Sequence, residues 1–277
     1  MRFQLIRMEL QNKYGLVLGA SRGIGRAIAR RLAAEGARLI LPWHDWPESV
    51  QEMKEEFAGH LSLQADLRCP DSVQALARQI EAECGGLHIL INNIERGGMP
   101  VVHGSYDRPM NSGQWQVEME TTLRAKQLVF EHCLPLLRQA GQAAVVNISS
   151  IAALTGRSGP AGLLFSDGYA AANRGVASLT ETWARLGAPS IRVNELMLGL
   201  FDYRHGPGTR GWGLLSPGEQ EALLEHTLLR RTGSPEEAAE AVLFLIQAEF
   251  MTGAVLRLDG GFVLGGAQIP DMPEGVL

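Results

Sequence analysis

The sequence has few cysteines and no long apolar run. Its three cysteines, Cys69, Cys84 and Cys133, are odd in number and form no C-x-x-C pair. This pattern argues against a disulfide framework and against a cysteine zinc site, so it predicts a reducing compartment. No apolar run approaches the roughly eighteen residues of a membrane-spanning helix, and the N-terminus lacks the apolar core of a signal peptide. We therefore expect a cytoplasmic protein that does not bind a membrane.

An excess of basic residues is also missing. The chain carries 25 Lys and Arg against 30 Asp and Glu, a formal net charge of −5, and no basic patch stands out. Because proteins that bind nucleic acid through its phosphates need such a patch, we expect no nucleic-acid partner. The seven histidines show no metal-ligand spacing such as H-E-x-x-H, so we expect no metal site.

Short apolar runs alternate along the chain with amphipathic segments. The 277 residues are 45% apolar and include 32 glycines, which suits one large α/β domain or two small ones. No repeat or linker divides the chain, and strands that alternate with helices predict a parallel sheet with helices on both faces. We predict an α/β fold, a single doubly wound, Rossmann-like domain with about seven strands. The long predicted helices cover 115–137, 168–187 and 235–247.

The ends of the chain are set apart from this pattern. Residues 1–12 are interpreted as an N-terminal extension, 13–265 as the Rossmann-like domain and 266–277 as a C-terminal tail. Met8 is an alternative start, because the sequence from that residue reads as a complete opening. Within the domain, 201–218 is rich in Gly and Pro yet contains large apolar residues. It follows the sixth predicted strand, where such folds bind ligands, so it is either a lid over the substrate or an exposed loop.

A glycine-rich turn follows the first predicted strand. The stretch Leu16–Arg31 reads LVLGASRGIGRAIARR, with Gly19, Gly23 and Gly25 before a helical pattern. Glycines let the backbone approach a pyrophosphate, and a helix N-terminus offers unpaired N–H groups and positive partial charge. The spacing G-x-x-x-G-x-G is not that of a P-loop. It indicates a phosphate-binding turn, with an ordinary glycine turn before a helix as the alternative.

Several separated pieces of the chain match one known family in order and spacing. From Met8 to Gly265 the chain resembles the short-chain dehydrogenase/reductase family. The resemblance implies an NAD(P)-dependent oxidoreductase with a small carbonyl or alcohol substrate, usually a dimer or tetramer. The matching pieces are GASRGIG at 19–25, ADL at 65–67, LINN at 90–93, VVNISS at 145–150, YAAAN at 169–173, RVN at 192–194, TGSPEEAA at 232–239 and TGAVLRLDGG at 252–261.

The resemblance also implies a set of cofactor-binding residues. Members that prefer NAD place an acid at the end of the second strand, where this chain has Trp43 followed by His44. Because no carboxylate repels a 2′-phosphate there and Arg22 can pair with one, NADP(H) is favoured over NAD(H), although Asp45 opposes it. The cofactor-binding residues are Gly19, Ser21, Arg22, Gly23, Ile24, Gly25, His44, Asp66, Leu67, Asn93, Tyr169 and Asn173.

The catalytic residues implied by the resemblance are only partly retained. The family uses Asn, Ser, Tyr and Lys, and Ser150 and Tyr169 match the serine and tyrosine. The residue four after the tyrosine, on the same helix face, is Asn173 rather than Lys. Thr122 stands at the position of the family's Asn. We take these four residues as the catalytic set. The alternative is that Tyr169 is a packed helix residue and Ser150 caps the end of a strand.

The absence of the lysine is expected to affect the two directions of the reaction differently. An unperturbed tyrosine titrates near ~10, and a neighbouring ammonium stabilises its anion. Asn173 brings no charge, so Tyr169 can still donate a proton in carbonyl reduction, whereas alcohol oxidation needs the tyrosinate and suffers more. Arg174 points about 100° around the helix and is not a substitute. The other departures from the family are Glu95, Leu198-Gly199, Tyr203 and an insertion within 156–168.

These features predict an NADP(H)-dependent reductase of a ketone, either a 3-oxoacyl thioester or a cyclic ketone. Tyr169 is the predicted proton donor and Ser150 orients the carbonyl. The alternative is a family member that binds cofactor but is catalytically impaired and acts as a partner subunit or nucleotide sensor. An elimination or isomerisation on the same fold is a third hypothesis. The long helices at 115–137 and 168–187 are the predicted contacts of a homodimer or homotetramer.

Overall fold

A computed structural model describes residues 8–94, 112–201 and 215–267. In these residues seven strands alternate with nine α-helices. The strands are Tyr14–Val17 (β1), Arg38–Trp43 (β2), Leu61–Gln64 (β3), Ile89–Asn92 (β4), Ala143–Ser150 (β5), Ile191–Leu198 (β6) and Val255–Leu258 (β7). The helices are Gly23–Ala34 (α1), Pro47–Glu56 (α2), Pro70–Cys84 (α3), Ser112–Glu118 (α4), Ala125–Gln139 (α5), Ala152–Thr155 (α6), Asp167–Gly187 (α7), Pro217–His226 (α8) and Pro235–Gln247 (α9).

The seven strands form one parallel sheet in the order β3-β2-β1-β4-β5-β6-β7. Strand β1 pairs with β2 on one side and with β4 on the other, so the strand order reverses at β1. This reversal is the hallmark of a doubly wound sheet and creates a crevice at the carboxyl ends of the strands. The predicted fold class, a Rossmann-like α/β domain with helices on both faces, is confirmed.

The core lies in two apolar layers, one on each face of the sheet. Successive side chains of a strand point to opposite faces. Val17 accordingly packs in the layer that holds Ile28 of α1 and Val242 of α9. Leu16 packs in the other layer, with Phe130 of α5. Because the strands are covered on both faces, they appear in the sequence as continuous apolar runs.

The helix predicted over 115–137 is longer and less regular than the sequence indicates. It runs from Ser112 to Gln139, and a π-helical segment, Met119–Arg124, joins α4 to α5. In this segment the hydroxyl of Thr121 donates to the carbonyl of Val117 at 2.8 Å. A hydroxyl bond to the carbonyl four residues earlier competes with regular helix bonding. Such π segments inside α-helices are frequent at functional sites.

The N-terminal residues that the structure describes pack onto the domain. Met8 and Leu10 are buried, and the amide of Asn12 donates to the carbonyl of Gly36 at 2.9 Å. Residues 1–7 of the predicted extension and 268–277 of the predicted tail lie outside the described residues. Among the helices that are described, none combines the length and apolarity needed to cross a membrane.

Candidate active site

A cavity opens at the carboxyl ends of the central strands, where the strand order reverses. It brings together ten of the twelve residues predicted to bind cofactor. The other two, Tyr169 and Asn173, lie on α7 and are not among the described residues that line the cavity. The ten that line it are Gly19, Ser21, Arg22, Gly23, Ile24, Gly25, His44, Asp66, Leu67 and Asn93.

The glycine turn between β1 and α1 leaves no space for side chains. Gly19 has a φ of +68°, and a Cβ atom there would collide with the carbonyl oxygen of Asn93. A Cβ at Gly25 would lie 2.6 Å from Nδ2 of Asn93 and closer still to the carbonyl oxygen of Gly19. Arg22 is the N-cap of α1, and within the described residues its side chain makes no capping hydrogen bond. The first N–H groups of the helix therefore have no side-chain acceptor from this residue. These features fit the pyrophosphate of a dinucleotide.

Cationic side chains surround the other end of the cavity. The guanidinium of Arg22 stacks over the ring of Trp46, 3.7 Å from its centroid. Nε2 of His44 lies 3.6 Å from Oδ2 of Asp66. Arg68 holds the same carboxylate in a bidentate pair, with bonds of 3.0 and 2.8 Å. The hydrogen bonds from the Arg68 guanidinium lower the pKa of Asp66 to about 2. Its negative charge is therefore paired with a cation at the cavity edge.

Ser150 and Tyr169 lie on β5 and α7, two elements that pack against each other. Ser150 ends β5, and its Oγ accepts a hydrogen bond from the amide of Ala152 at 3.2 Å. Tyr169 lies in the first turn of α7, where its amide donates to the hydroxyl of Ser166 at 3.0 Å. The ring of Tyr169 shares an apolar cluster with Ile151 and Ala152, the residues that directly follow the serine. The inserted segment therefore still leaves the turn after Ser150 packed against Tyr169.

The two described ends of the predicted lid meet the site. Phe201 lines the cavity and forms an isolated bridge with Gly233. Leu215 is buried in the apolar cluster around Tyr169. Residues 202–214, which include Tyr203, lie outside the described residues, as does Glu95.

The sequence matches a family model described as enoyl-(acyl carrier protein) reductase over residues 19–263. The chain belongs to the short-chain dehydrogenase/reductase family. It is 33% identical over 259 residues to cis-4-hydroxycyclohexanecarboxylate dehydrogenase of Sinomonas cyclohexanicum, covering 90% of this chain and 96% of that protein. It is 30% identical over 262 residues to a 3-oxoacyl-(acyl-carrier-protein) reductase of Vibrio cholerae, covering 93% of this chain and all of that protein (100%).

A solved structure agrees with this assignment. The ligand-free aldohexose dehydrogenase of Thermoplasma acidophilum superposes with a TM-score of 0.75 at 28% identity, covering 96% of this chain and 98% of that chain. As a short-chain dehydrogenase/reductase, the chain is an oxidoreductase that acts on CH–OH or C=O groups.

Asn173 and Thr122, the two positions predicted to depart from the family's catalytic pattern, are buried and uncharged. Nδ2 of Asn173 donates to the main-chain carbonyl of Tyr169 at 2.9 Å, and the side chain is 1% exposed. Oγ1 of Thr122, in the π segment, is buried with no hydrogen-bond partner among the described residues. Arg174 is exposed. The side chains of Asn173 and Thr122 therefore bring no positive charge to this part of the molecule.

Two buried ionisable residues that the sequence patterns do not single out lie behind the wall of the cavity. Lys126 of α5 and Glu195 of β6 are 1% and 0% exposed. The hydroxyl of Ser149, which lines the cavity, donates to Oε1 of Glu195. A signal was present, because Lys126 lies on the apolar stripe of its helix, four residues before Phe130, and Glu195 interrupts an apolar strand. In the described part of the chain, no cluster of His, Cys, Asp and Glu side chains is suited to a metal ion.

Proposed function

We propose that this family member is an NADP(H)-dependent reductase that converts a ketone into an alcohol. One observation carries the proposal: a phosphate-binding turn and cationic side chains line one cavity, beside the cluster that joins Tyr169 to the turn after Ser150. By their names, one relative acts on a 3-oxoacyl-(acyl-carrier-protein) and another on cis-4-hydroxycyclohexanecarboxylate. A 3-oxoacyl thioester and a cyclic ketone are accordingly the substrates we propose.

The retained serine and tyrosine supply the groups that act on the carbonyl oxygen. When bound, NADPH would supply the hydride that adds to the carbonyl carbon. The phenol of Tyr169 donates its proton to the oxygen as negative charge develops there, and solvent later returns that proton. Because Oγ of Ser150 accepts from the amide of Ala152, its own proton is available to orient the same oxygen. One ketone, one NADPH and one proton give one alcohol and one NADP⁺.

The preference for NADP(H) rests on the charges at the adenosine end. Trp43 stands where an acid would hold the ribose hydroxyls of NAD, and Arg22 and His44 flank the same region. Asp66, whose Oδ2 lies 3.6 Å from Nε2 of His44, is paired with Arg68, and Asp45 lines the same cavity as the acid that opposes this preference. A 2′-phosphate therefore meets the guanidinium of Arg22 there, and a planar guanidinium is well suited to bind it.

The experiment that tests this function measures equilibrium binding of NADPH and NADH, followed by NADPH oxidation with a panel of 3-oxoacyl thioesters and cyclic ketones. We expect tighter binding of NADPH than NADH and turnover of at least one ketone class. Tyr169→Phe should still bind NADPH but lose turnover, because the phenol supplies the proton. Absence of NADPH oxidation across the whole panel, with binding intact, would contradict the proposed reductase.

The second candidate function is a cofactor-binding protein that no longer turns over, acting as a partner subunit or nucleotide sensor. It is favoured by the side chain of Asn173, whose amide is bonded back to its own helix and carries no charge. Under this function Tyr169→Phe leaves the biological role intact, and loss of that role in the variant would reject it. Asn173→Lys separates the two candidates further. We expect it to raise reductase activity if the site lacks only a positive charge, and to have no effect if the geometry of the site serves another role.

We also propose that the chain forms a homodimer or homotetramer through its long helices. The support is the exposed Trp115 on α4, whose backbone and ring both lie against Gly168 of α7. Large exposed apolar side chains are typical of interaction surfaces. A cytoplasmic location completes the proposal, supported by the free state of Cys69, Cys84 and Cys133.

A further inference from the structure

The first turn of α7 carries Tyr169 and begins at a capping serine. Ser166 is the N-cap of the helix, and its hydroxyl oxygen accepts a hydrogen bond from the main-chain amide of Tyr169 at 3.0 Å. Tyr169 is therefore the third residue of the helix, a position whose amide an N-cap side chain binds. Its ring also packs against that of Phe165, with centroids 5.8 Å apart. The cap thus fixes the backbone from which the proposed proton donor projects.

The serine caps of α8 and α9 are each completed by an acid of the same helix. In α8 the hydroxyl of Ser216 accepts from the amide of Glu219, and the carboxylate of Glu219 accepts from the amide of Ser216. Ser234 and Glu237 form the same pair in α9. In both helices the acid is the third residue, as a capping box requires. In α7 Tyr169 occupies this position, so the helix itself does not supply an acid there.

A glutamate from another helix bonds the cap of α7 instead. The hydroxyl of Ser166 donates to Oε2 of Glu118, the last residue of α4, 48 residues earlier in the chain. Ser166 and Glu118 are 2% and 3% exposed, so the bond is shielded from water. Because a serine hydroxyl has one proton, that proton is directed to the carboxylate, and a lone pair is left for the amide of Tyr169. Glu118 therefore sets the orientation of the cap.

The close approach of α4 to the start of α7 makes room for this bond. A Cβ atom at Gly168 would lie 2.7 Å from Oε2 of Glu118 and 3.2 Å from Cα of Trp115. Helix α4 continues into the π segment, which also packs against α7. The start of α7 is therefore held both by a side-chain bond and by direct helix contact.

We propose that Glu118 is a positioning residue of this site: from α4 it binds the hydroxyl of Ser166 and so completes a cap whose usual acid position is occupied by Tyr169. The inference rests on the proposed reductase function, in which the phenol of Tyr169 meets the carbonyl oxygen of the substrate. A displacement of about 1 Å, caused by a change remote from the chemistry, can lower a rate about a hundredfold. Loss of the bond should therefore reduce turnover although no group that touches the substrate is removed.

The test compares Glu118→Leu, which cannot accept a hydrogen bond, with Glu118→Gln, whose amide oxygen can. The surroundings of the Tyr169 ring are measured by fluorine NMR of protein labelled with fluorotyrosine. The chain has four tyrosines, and the resonance of Tyr169 is the one missing from Tyr169→Phe. We expect Glu118→Leu to move this resonance and to lower kcat for ketone reduction roughly ten- to a hundredfold, with a much smaller change in the NADPH dissociation constant. Glu118→Gln should keep the resonance in place and retain most of kcat.

The matched control is a pair of variants that each delete a serine cap. Ser166→Ala should move the Tyr169 resonance and lower kcat. Ser234→Ala, which removes the equivalent cap from α9, should lower stability and change neither quantity. Because both variants lose the same kind of hydrogen bond, the comparison separates positioning from helix stability. Should Glu118→Leu fail to fold, Ser166→Ala provides the measurement from the other partner of the bond, and an unchanged resonance would overturn the proposal.

Three results would overturn the inference and leave Glu118 a structural residue. The first is a folded Glu118→Leu with the resonance and kcat of the wild type. The second is a moved resonance with undiminished ketone reduction. The third is a Glu118→Gln variant as impaired as Glu118→Leu, because the hydrogen bond to Ser166 would then not be the cause.

These outcomes are separable from failure of the reductase function. The resonance of Tyr169 needs neither cofactor nor substrate, so it tests the placement of the ring even in a protein that reduces no ketone. Conversely, ketone reduction that survives undiminished in Glu118→Leu leaves the reductase function intact and rejects the positioning role.

Discussion

At the residue scale, the proposed cofactor site depends on two glycines that have no Cβ atom. Gly19 and Gly25 allow the β1–α1 turn to lie directly against Asn93 at the end of β4. A single methyl group there would push apart the strand ends that form the floor of the cavity. The glycines are therefore required by close approach, and at Gly19 also by the positive φ.

We expect Gly25→Ala to lower the free energy of unfolding by about 1–3 kcal/mol, the usual cost of overpacking, and to abolish NADPH binding. The added Cβ would lie 2.6 Å from Nδ2 of Asn93. Urea unfolding and NADPH titration measure the two effects. Gly59→Ala is the matched control, since a Cβ there meets nothing within 4 Å, and it should leave both quantities unchanged. Normal NADPH binding by Gly25→Ala would contradict this account of the turn.

Cofactor selectivity is also decided by single residues. We expect Arg22→Gln to raise the dissociation constant of NADPH roughly tenfold or more, because a charge-assisted hydrogen bond to the 2′-phosphate is lost. The dissociation constant of NADH should stay close to that of the wild type. Fluorescence titration with both cofactors measures the difference.

The control for Arg22→Gln is Arg30→Gln on the same helix, where the exposed guanidinium pairs with Glu56 away from the cavity. It removes the same charge from α1 and should leave the NADPH-to-NADH ratio unchanged. Equal weakening of both cofactors by Arg22→Gln would mean that the arginine contacts a part that the two molecules share.

At the element scale, the first residues of a helix determine whether its N-terminal N–H groups bond to a side chain of the protein or are open to a ligand. Helix α9 begins with a capping box, in which Ser234 and Glu237 each bond the main-chain amide of the other. Helix α1 has no such cap within the described residues and points its first amides toward the cavity. The contrast agrees with a structural role for α9 and a ligand-binding role for α1.

Removing the cap of α9 tests this view of the element. We expect Ser234→Ala to lower the free energy of unfolding by about 1 kcal/mol, because the amide of Glu237 loses its acceptor. Chemical denaturation measures the change. Ser178→Ala, at an exposed position inside α7, should be neutral, since alanine is a good helix former. A loss of similar size in both variants would assign the effect to serine in general.

At the scale of the whole molecule, the parallel sheet gathers the site from distant parts of the chain. Strands β1, β4, β5 and β6 lie side by side, so their carboxyl ends carry the glycine turn, Asn93, Ser149 and Gly199 to one edge. Each of these residues is separated from the next by a crossover helix. A single sheet therefore aligns the proposed cofactor-binding turn with the proposed catalytic side chains, although these residues are far apart in sequence.

Self-association is the prediction that belongs to this scale. We expect the wild type to sediment as a dimer or tetramer, and Trp115→Glu to shift it toward monomer, because a charge would be buried in the helix interface. Sedimentation equilibrium measures the mass. Phe250→Glu alters another exposed aromatic residue on a turn after α9 and should leave the assembly unchanged. A monomeric wild type would reject the proposed assembly.

The sequence by itself determined the order of strands and helices, the class of the sheet and the cofactor turn. Each of these depends on local patterns, such as apolar runs of strand length, helical periodicity and glycines where the backbone must pass closely. The residues that line the cavity from 19 to 25 are neighbours in sequence, so one stretch predicts them together.

Only the tertiary structure decided which ionisable residues lie behind Ser149 and the cavity wall. Lys126 meets the carbonyl of Ile94 across 32 residues, and Ser149 meets Glu195 across 46 residues. The π segment and the inward bond of Asn173 likewise depend on how α7 packs against its neighbour. Such contacts carry no local periodicity, because the energy of burying a charge is set by partners that the fold brings from elsewhere in the chain.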